Sequence, residues 1–88
     1  MTEDKRKSVS DLISKLKQQR DEIALQMHLG KEELKDEWDA IQHKLDQLTH
    51  RFEPLNKAVA ETSEDVWESL KLVGEEIKEG FQRIRKSL

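Results

Sequence analysis

The stretch Met27-His28-Leu29-Gly30-Lys31-Glu32-Glu33-Leu34-Lys35-Asp36-Glu37-Trp38 decides the fold of this chain. Read as helix, it joins two apolar runs into one very long rod. Read as a turn, it divides the chain into shorter helices. Upstream of it Val9, Ile13, Leu16, Arg20, Ile23, Met27, Gly30 and Leu34 follow at alternating steps of four and three. Downstream the train continues as Trp38, Ile41, Leu45, Leu48, Phe52, Leu55, Val59 and Thr62. Such spacing draws one narrow apolar stripe along an otherwise charged helix, and only another helix can bury it. The runs join through two steps of four, from Gly30 to Leu34 to Trp38. That is a stutter, which unwinds a coiled coil locally without ending it. Gly30 can close a helix, and inside one it costs about 1 kcal/mol. But Lys31-Glu32-Glu33-Leu34 brings no proline and no loop composition, and the stripe resumes at once. The pattern favours a continuous helix.

Pro54 is the next possible break. It removes one backbone hydrogen bond and crowds the carbonyl of His50. The stripe crosses it in phase, from Phe52 to Leu55, which favours a kink. The rival is a stop at Phe52–Glu53, with Pro54 opening a new helix. A firmer boundary falls near residues 60–65. Thr62 with Asp65, or Ser63 before Glu64 and Asp65, places a cap and acidic residues where a helix start wants them. The stripe also changes phase there, restarting as Trp67, Leu70, Gly74, Ile77, Phe81, Ile84 and Leu88.

The expected fold is all-α: an antiparallel coiled-coil hairpin with a first helix from about 9 to 60, kinked at Pro54, and a second from about 64 to 87. Residues 1–8, with the basic cluster Lys5-Arg6-Lys7, read as a flexible tail, and 9–88 as one helical domain. At about 1.5 Å per residue the two helices span roughly 75–80 Å and 35 Å, so the second cannot cover the first. Folding back near residue 62 sets Trp67 and Leu70 against Leu55 and Phe52. Gly74 and Ile77 then meet Leu48 and Leu45, and Phe81 and Ile84 meet Ile41 and Trp38. These side chains form the expected hairpin core, with Gly74 and Gly80 leaving room for Phe52, Phe81 or a close backbone approach. On this reading Ile13, Leu16, Ile23, Met27 and Leu34 lack a partner within the chain. Exposing such a stripe forgoes on the order of 10 kcal/mol. The sequence therefore predicts a homodimer whose N-terminal arms pack on each other. Three antiparallel helices in one bundle would satisfy the same stripes.

Composition narrows the function classes. Charged residues make up 40% of the 88 and hydrophobic ones 34%, with a net charge of only −3. Long solvated helices fit that balance, and a nucleic-acid binder with a basic face does not. The chain has no cysteine, so neither a disulfide nor a thiolate site can form. No apolar run approaches the ~18 residues of a transmembrane helix, which makes a cytoplasmic protein the default expectation.

Few residues suggest chemistry. Asp39, His43, Asp46 and His50 share one helix face and form a weak candidate zinc or copper site. With Leu45 and Leu48 on the seam, however, His43 and His50 point to solvent. Trp38, Trp67 and Met27 fall in the apolar register and read as packing rather than as a ligand cage. Arg20 interrupts the seam, either snorkelling outward or setting the pairing register. The pairs Glu32-Glu33 and Glu75-Glu76 lie on exposed surface, without the sheltered pocket that acid–base work needs. No enzyme and no cofactor is expected. The amphipathic segment Trp67–Leu88 could lie on a lipid surface, though its polar face lacks the usual basic excess.

The segment Ser63-Glu64-Asp65-Val66-Trp67-Glu68-Ser69-Leu70-Lys71 resembles a set of small bacterial coiled-coil proteins. In these a Ser-x-x-x-Trp-Glu-x-Leu-Lys stretch opens the C-terminal helix after a long charged one. The resemblance spans about residues 31–88, most closely 63–81. Pro54 departs from the uninterrupted first helix of the pattern. Some of these proteins are labelled stress-associated and some are matched loosely to apolipoprotein-like helices. The resemblance implies a soluble helical hairpin of a bacterial cell, with a stress or scaffolding role. It offers no catalytic residues to transfer. Another helical protein is a further candidate partner of the apolar stripe.

Overall fold

The computed structural model describes the backbone of residues 2–28, 32–58 and 61–88; for 2, 3 and 28 it describes the backbone alone. The described residues are almost wholly helical. Helix α1 runs over Thr2–His28, α2 over Lys35–Lys57 and α3 over Glu64–Ser87, with a short 3-10 turn, Glu32–Leu34, leading into α2. The expected single helix over 9–60 is therefore divided: α1 ends at His28 and α2 starts at Lys35. Gly30 itself lies outside the described residues. A continuous rod would also be nearly twice as long as the molecule, which measures 44 × 17 × 17 Å.

The helices alternate in direction. Lys5 pairs with Glu68 at 3.1 Å and Glu22 with Arg85 at 3.0 Å, so α1 and α3 run parallel. Phe52 meets Trp67 with ring centroids 5.9 Å apart, and Trp38 meets Phe81 at 5.7 Å, so α2 and α3 run antiparallel. Arg6 donates to Asn56 Oδ1 at 2.9 Å, tying the start of α1 to the end of α2. The α2–α3 pairing has the register expected from the sequence, with Trp67 on Phe52 and Phe81 on Trp38.

Two local features differ from expectation. Residues 2–8 belong to α1 instead of forming a flexible tail. Asp4 places negative charge in the first turn of the helix, which favours an early start, and Lys5 and Arg6 anchor the first turns to α3 and α2. Pro54 sits inside α2, which continues through it for one turn before the Ala58 N–H closes on the Leu55 carbonyl at 3.1 Å. The proline costs the hydrogen bond that its missing N–H would donate to the His50 carbonyl, and it does so in the last turn of α2 rather than in its middle.

The start of α3 is a built stop. Ser63 is extended, at φ −72° and ψ 156°, and its Oγ accepts the Val66 N–H at 3.4 Å. Thr62 is buried and its hydroxyl donates to the Ala58 carbonyl at 2.8 Å. Glu64 and Asp65 fill the first turn and Arg85 and Lys86 the last, each on the side of the helix dipole that favours its sign.

One apolar core joins all three helices. Trp38, Ile41, Leu45, Leu48 and Phe52 come from α2, and Trp67, Leu70, Ile77, Phe81 and Ile84 from α3, with Leu55 half-buried at the edge. The remainder comes from α1: Val9, Ile13, Leu16 and Ile23 are buried in the same cluster, and Met27 and Leu34 pack against it. This corrects the expectation that Ile13, Leu16, Ile23, Met27 and Leu34 lack a partner within the chain. Folding α1 back buries a stripe that a straight rod would leave in water.

Candidate interaction surfaces

Clefts open on both sides of α3 among the described residues. One lies between α1 and α3, about 350 Å³ in volume, with Leu12 and Leu16 at its apolar base. Its rims carry Asp11 and Lys15 from α1, and Lys71, Glu75 and Lys78 from α3. Gln19 lines the same cleft, and its buried Oε1 has no hydrogen-bond partner. The second cleft, about 570 Å³, lies between α2 and α3 over Leu48 and Val73. Lys44, His50 and Arg51 give it a basic side, with Glu76 opposite. Both clefts are open to water and mix the two signs of charge. They can hold a polar surface by complementarity, but their charges face solvent, where Coulomb interactions are weak.

Glycine controls how closely the helices approach α3. A Cβ at Gly74 would lie 2.5 Å from Leu12 Cδ2, and one at Gly80 would lie 2.6 Å from Ile41 Cδ1. Each glycine therefore receives a side chain from a different neighbour: Gly74 from α1 and Gly80 from α2. The room expected at these positions for Phe52, Phe81 or a close backbone approach is taken instead by the side chains of Leu12 and Ile41. Leu12, by contrast, escapes a reading confined to the three-four stripe because it stands one residue before Ile13. The only signal for it was that Gly74 must be filled by something.

Other candidate residues are dispersed. Asp39, His43, Asp46 and His50 lie on the exposed face of α2. His43 Nε2 is 3.2 Å from Gln47 Nε2, a contact within one helix turn. Among the described residues no group of three or more His, Cys, Asp or Glu side chains is placed to hold a metal ion. Trp38 and Trp67 sit at opposite ends of the α2–α3 pair, each against a phenylalanine, and do not converge on a cage. The Trp67 indole is fully buried, and its Nε1–H finds no acceptor among the described residues. Arg20 turns its guanidinium outward to Asp21 at 3.3 Å, so it snorkels from the seam. Glu32, Glu33, Glu75 and Glu76 are exposed. Leu25 and Leu72 are the most exposed large apolar side chains, and they stand singly on the outer faces of α1 and α3. Among the described residues no helix is long and apolar enough to cross a membrane.

Comparison of the chain with protein-family models, with curated proteins and with solved structures gives no match.

Proposed function

We propose that this protein is a non-enzymatic helical interaction module that self-associates, with an up-down-up three-helix bundle as its single-chain form. One observation carries the reading. The side chains of Val9, Ile13, Leu16 and Ile23 in α1 are buried in one cluster with side chains of α2 and α3, and a second copy offers the same two helices. The outer faces are charged and nearly neutral in sum, which keeps long-range repulsion between copies small. A scaffold or adaptor role in a bacterial stress response, in the cytoplasm, is the biological setting that the resemblance of Ser63–Lys71 suggests.

Sedimentation equilibrium over a wide concentration range tests the proposal, with small-angle scattering for shape. The expected result is a reversible monomer–dimer equilibrium. Its monomer would have a radius of gyration near the 14.2 Å of the Cα trace, allowing for hydration. A monomer at every concentration would remove self-association. A monomer of hairpin length, nearly twice 44 Å, would remove the three-helix form.

A further inference from the structure

The sequence of α2 repeats itself by heptads. Trp38-Asp39-Ala40-Ile41-Gln42-His43-Lys44 is followed by Leu45-Asp46-Gln47-Leu48-Thr49-His50-Arg51 and then by Phe52-Glu53-Pro54-Leu55-Asn56-Lys57. The first and fourth positions of each unit turn to the core. The second position is an acid and the sixth a base, and both stay exposed in every unit. In the first two units the base is an imidazole, which gives the pairs Asp39–His43 and Asp46–His50. Residues four apart are neighbours on a helix surface, and at that spacing two side chains of one helix can close on a single zinc ion. An imidazole on this face does reach a full turn: His43 Nε2 lies 3.2 Å from the side chain of Gln47, four residues on. Asp39 stands one turn back from the same ring.

Neither pair makes a site alone. Zinc takes four ligands, and among the described residues no third His, Cys, Asp or Glu completes such a group. We propose that each pair is half of a zinc site, completed by the same face of α2 in a second copy. A two-fold axis through this face sets two imidazoles and two carboxylates around each ion. It makes two such sites, about 10 Å apart, the rise of one heptad. The two carboxylates balance the double charge of the ion, so the bridge adds no net charge to the contact. Uncharged Ala40 and Gln47 lie between the pairs, while Lys44 and Arg51 stand to one side, over the cleft toward α3. A mixed imidazole–carboxylate set suits zinc; calcium and magnesium take oxygen ligands. The inference rests on the self-association reading above for its partner, a second copy, and adds an ion that regulates it.

Sedimentation equilibrium of the full chain in EDTA, in zinc chloride and in calcium chloride tests the site. For an ion that binds the dimer alone, free zinc at about ten times its dissociation constant raises the association constant about a hundredfold, about tenfold for each of two sites. Calcium is expected to leave it unchanged. Isothermal calorimetry is expected to show about one zinc ion per chain. His43→Lys/His50→Lys turns both pairs into copies of Glu53–Lys57: it keeps good helix formers on an exposed face and replaces each ligand nitrogen by an ammonium. His43→Gln/His50→Gln removes the imidazoles without adding charge. Both variants are expected to keep the circular dichroism of the parent and to associate equally in EDTA and in zinc. Self-association of the parent that is equal in EDTA and zinc would overturn the zinc site and leave self-association standing. A monomer in every condition would overturn both. A zinc response that survives in either variant would overturn the assignment to His43 and His50.

Discussion

The packing of α1 on α3 can be tested at one carbon atom. Gly74→Ala adds a Cβ that would lie 2.5 Å from Leu12 Cδ2, 3.2 Å from Leu12 Cγ and 3.6 Å from Leu48 Cδ2. Carbon atoms settle near 3.5–4.0 Å, so the Leu12 side chain must move by about 1 Å while Leu48 stays in ordinary contact. Overpacking costs about 1–3 kcal/mol, and the half-buried Leu12 can partly swing away, which places this site near about 1–2 kcal/mol. Replacing a helix-interior glycine returns about 1 kcal/mol. The variant is therefore expected to be neutral or destabilised by up to about 1 kcal/mol. Leu12→Ala removes the obstruction, and alone it costs about 1–2 kcal/mol, below the range for a fully buried leucine. In that background Gly74→Ala should stabilise by about 1 kcal/mol, so the cycle shows a coupling of about 1–2 kcal/mol. Urea denaturation at a concentration where the chain is monomeric, read by circular dichroism and tryptophan fluorescence, supplies the four free energies. If Gly74→Ala stabilises equally in both backgrounds, Leu12 does not sit on α3 and the placement of α1 is refuted.

Leu16 is fully buried, and Leu16→Asp leaves an unpaired charge in the core. Its cost of several kcal/mol rivals the stability of a small domain, so cooperative melting by circular dichroism should be lost. Ser63→Ala removes the cap of α3, and because the bond is long, at 3.4 Å, the loss should be about 0.5–1 kcal/mol in urea titration. Trp67→Phe shrinks a buried ring but also removes a buried donor that finds no acceptor among the described residues, which by itself costs about 1–3 kcal/mol. Its net destabilisation should stay below about 1 kcal/mol, against about 3–5 kcal/mol for Trp67→Ala. Glu22→Gln breaks a half-exposed pair with Arg85 and should cost no more than about 0.5 kcal/mol, with the difference disappearing in molar salt.

The α2–α3 pair was legible in the sequence because its signals are local and agree with one another. A cap at Ser63, acids after it and a change of stripe phase all mark the same boundary. The seam then fixes the register that brings Phe52 to Trp67 and Trp38 to Phe81. The division between α1 and α2 was less legible, because its one local signal, Gly30, stands beside Lys31-Glu32-Glu33-Leu34, which brings neither proline nor loop composition. Between His28 and Lys35 the sequence favours helix, and the outcome depends on burying Val9, Ile13, Leu16 and Ile23 against side chains of α2 and α3 that are distant in sequence. The early start of α1 was missed for a related reason. Lys5-Arg6-Lys7 reads as a solvated cluster until Glu68 and Asn56 are brought beside it. Of the surface features, the outward direction of His43 and His50 followed directly from the seam. The clefts beside α3 depend on where α1 lies and could not be placed without it.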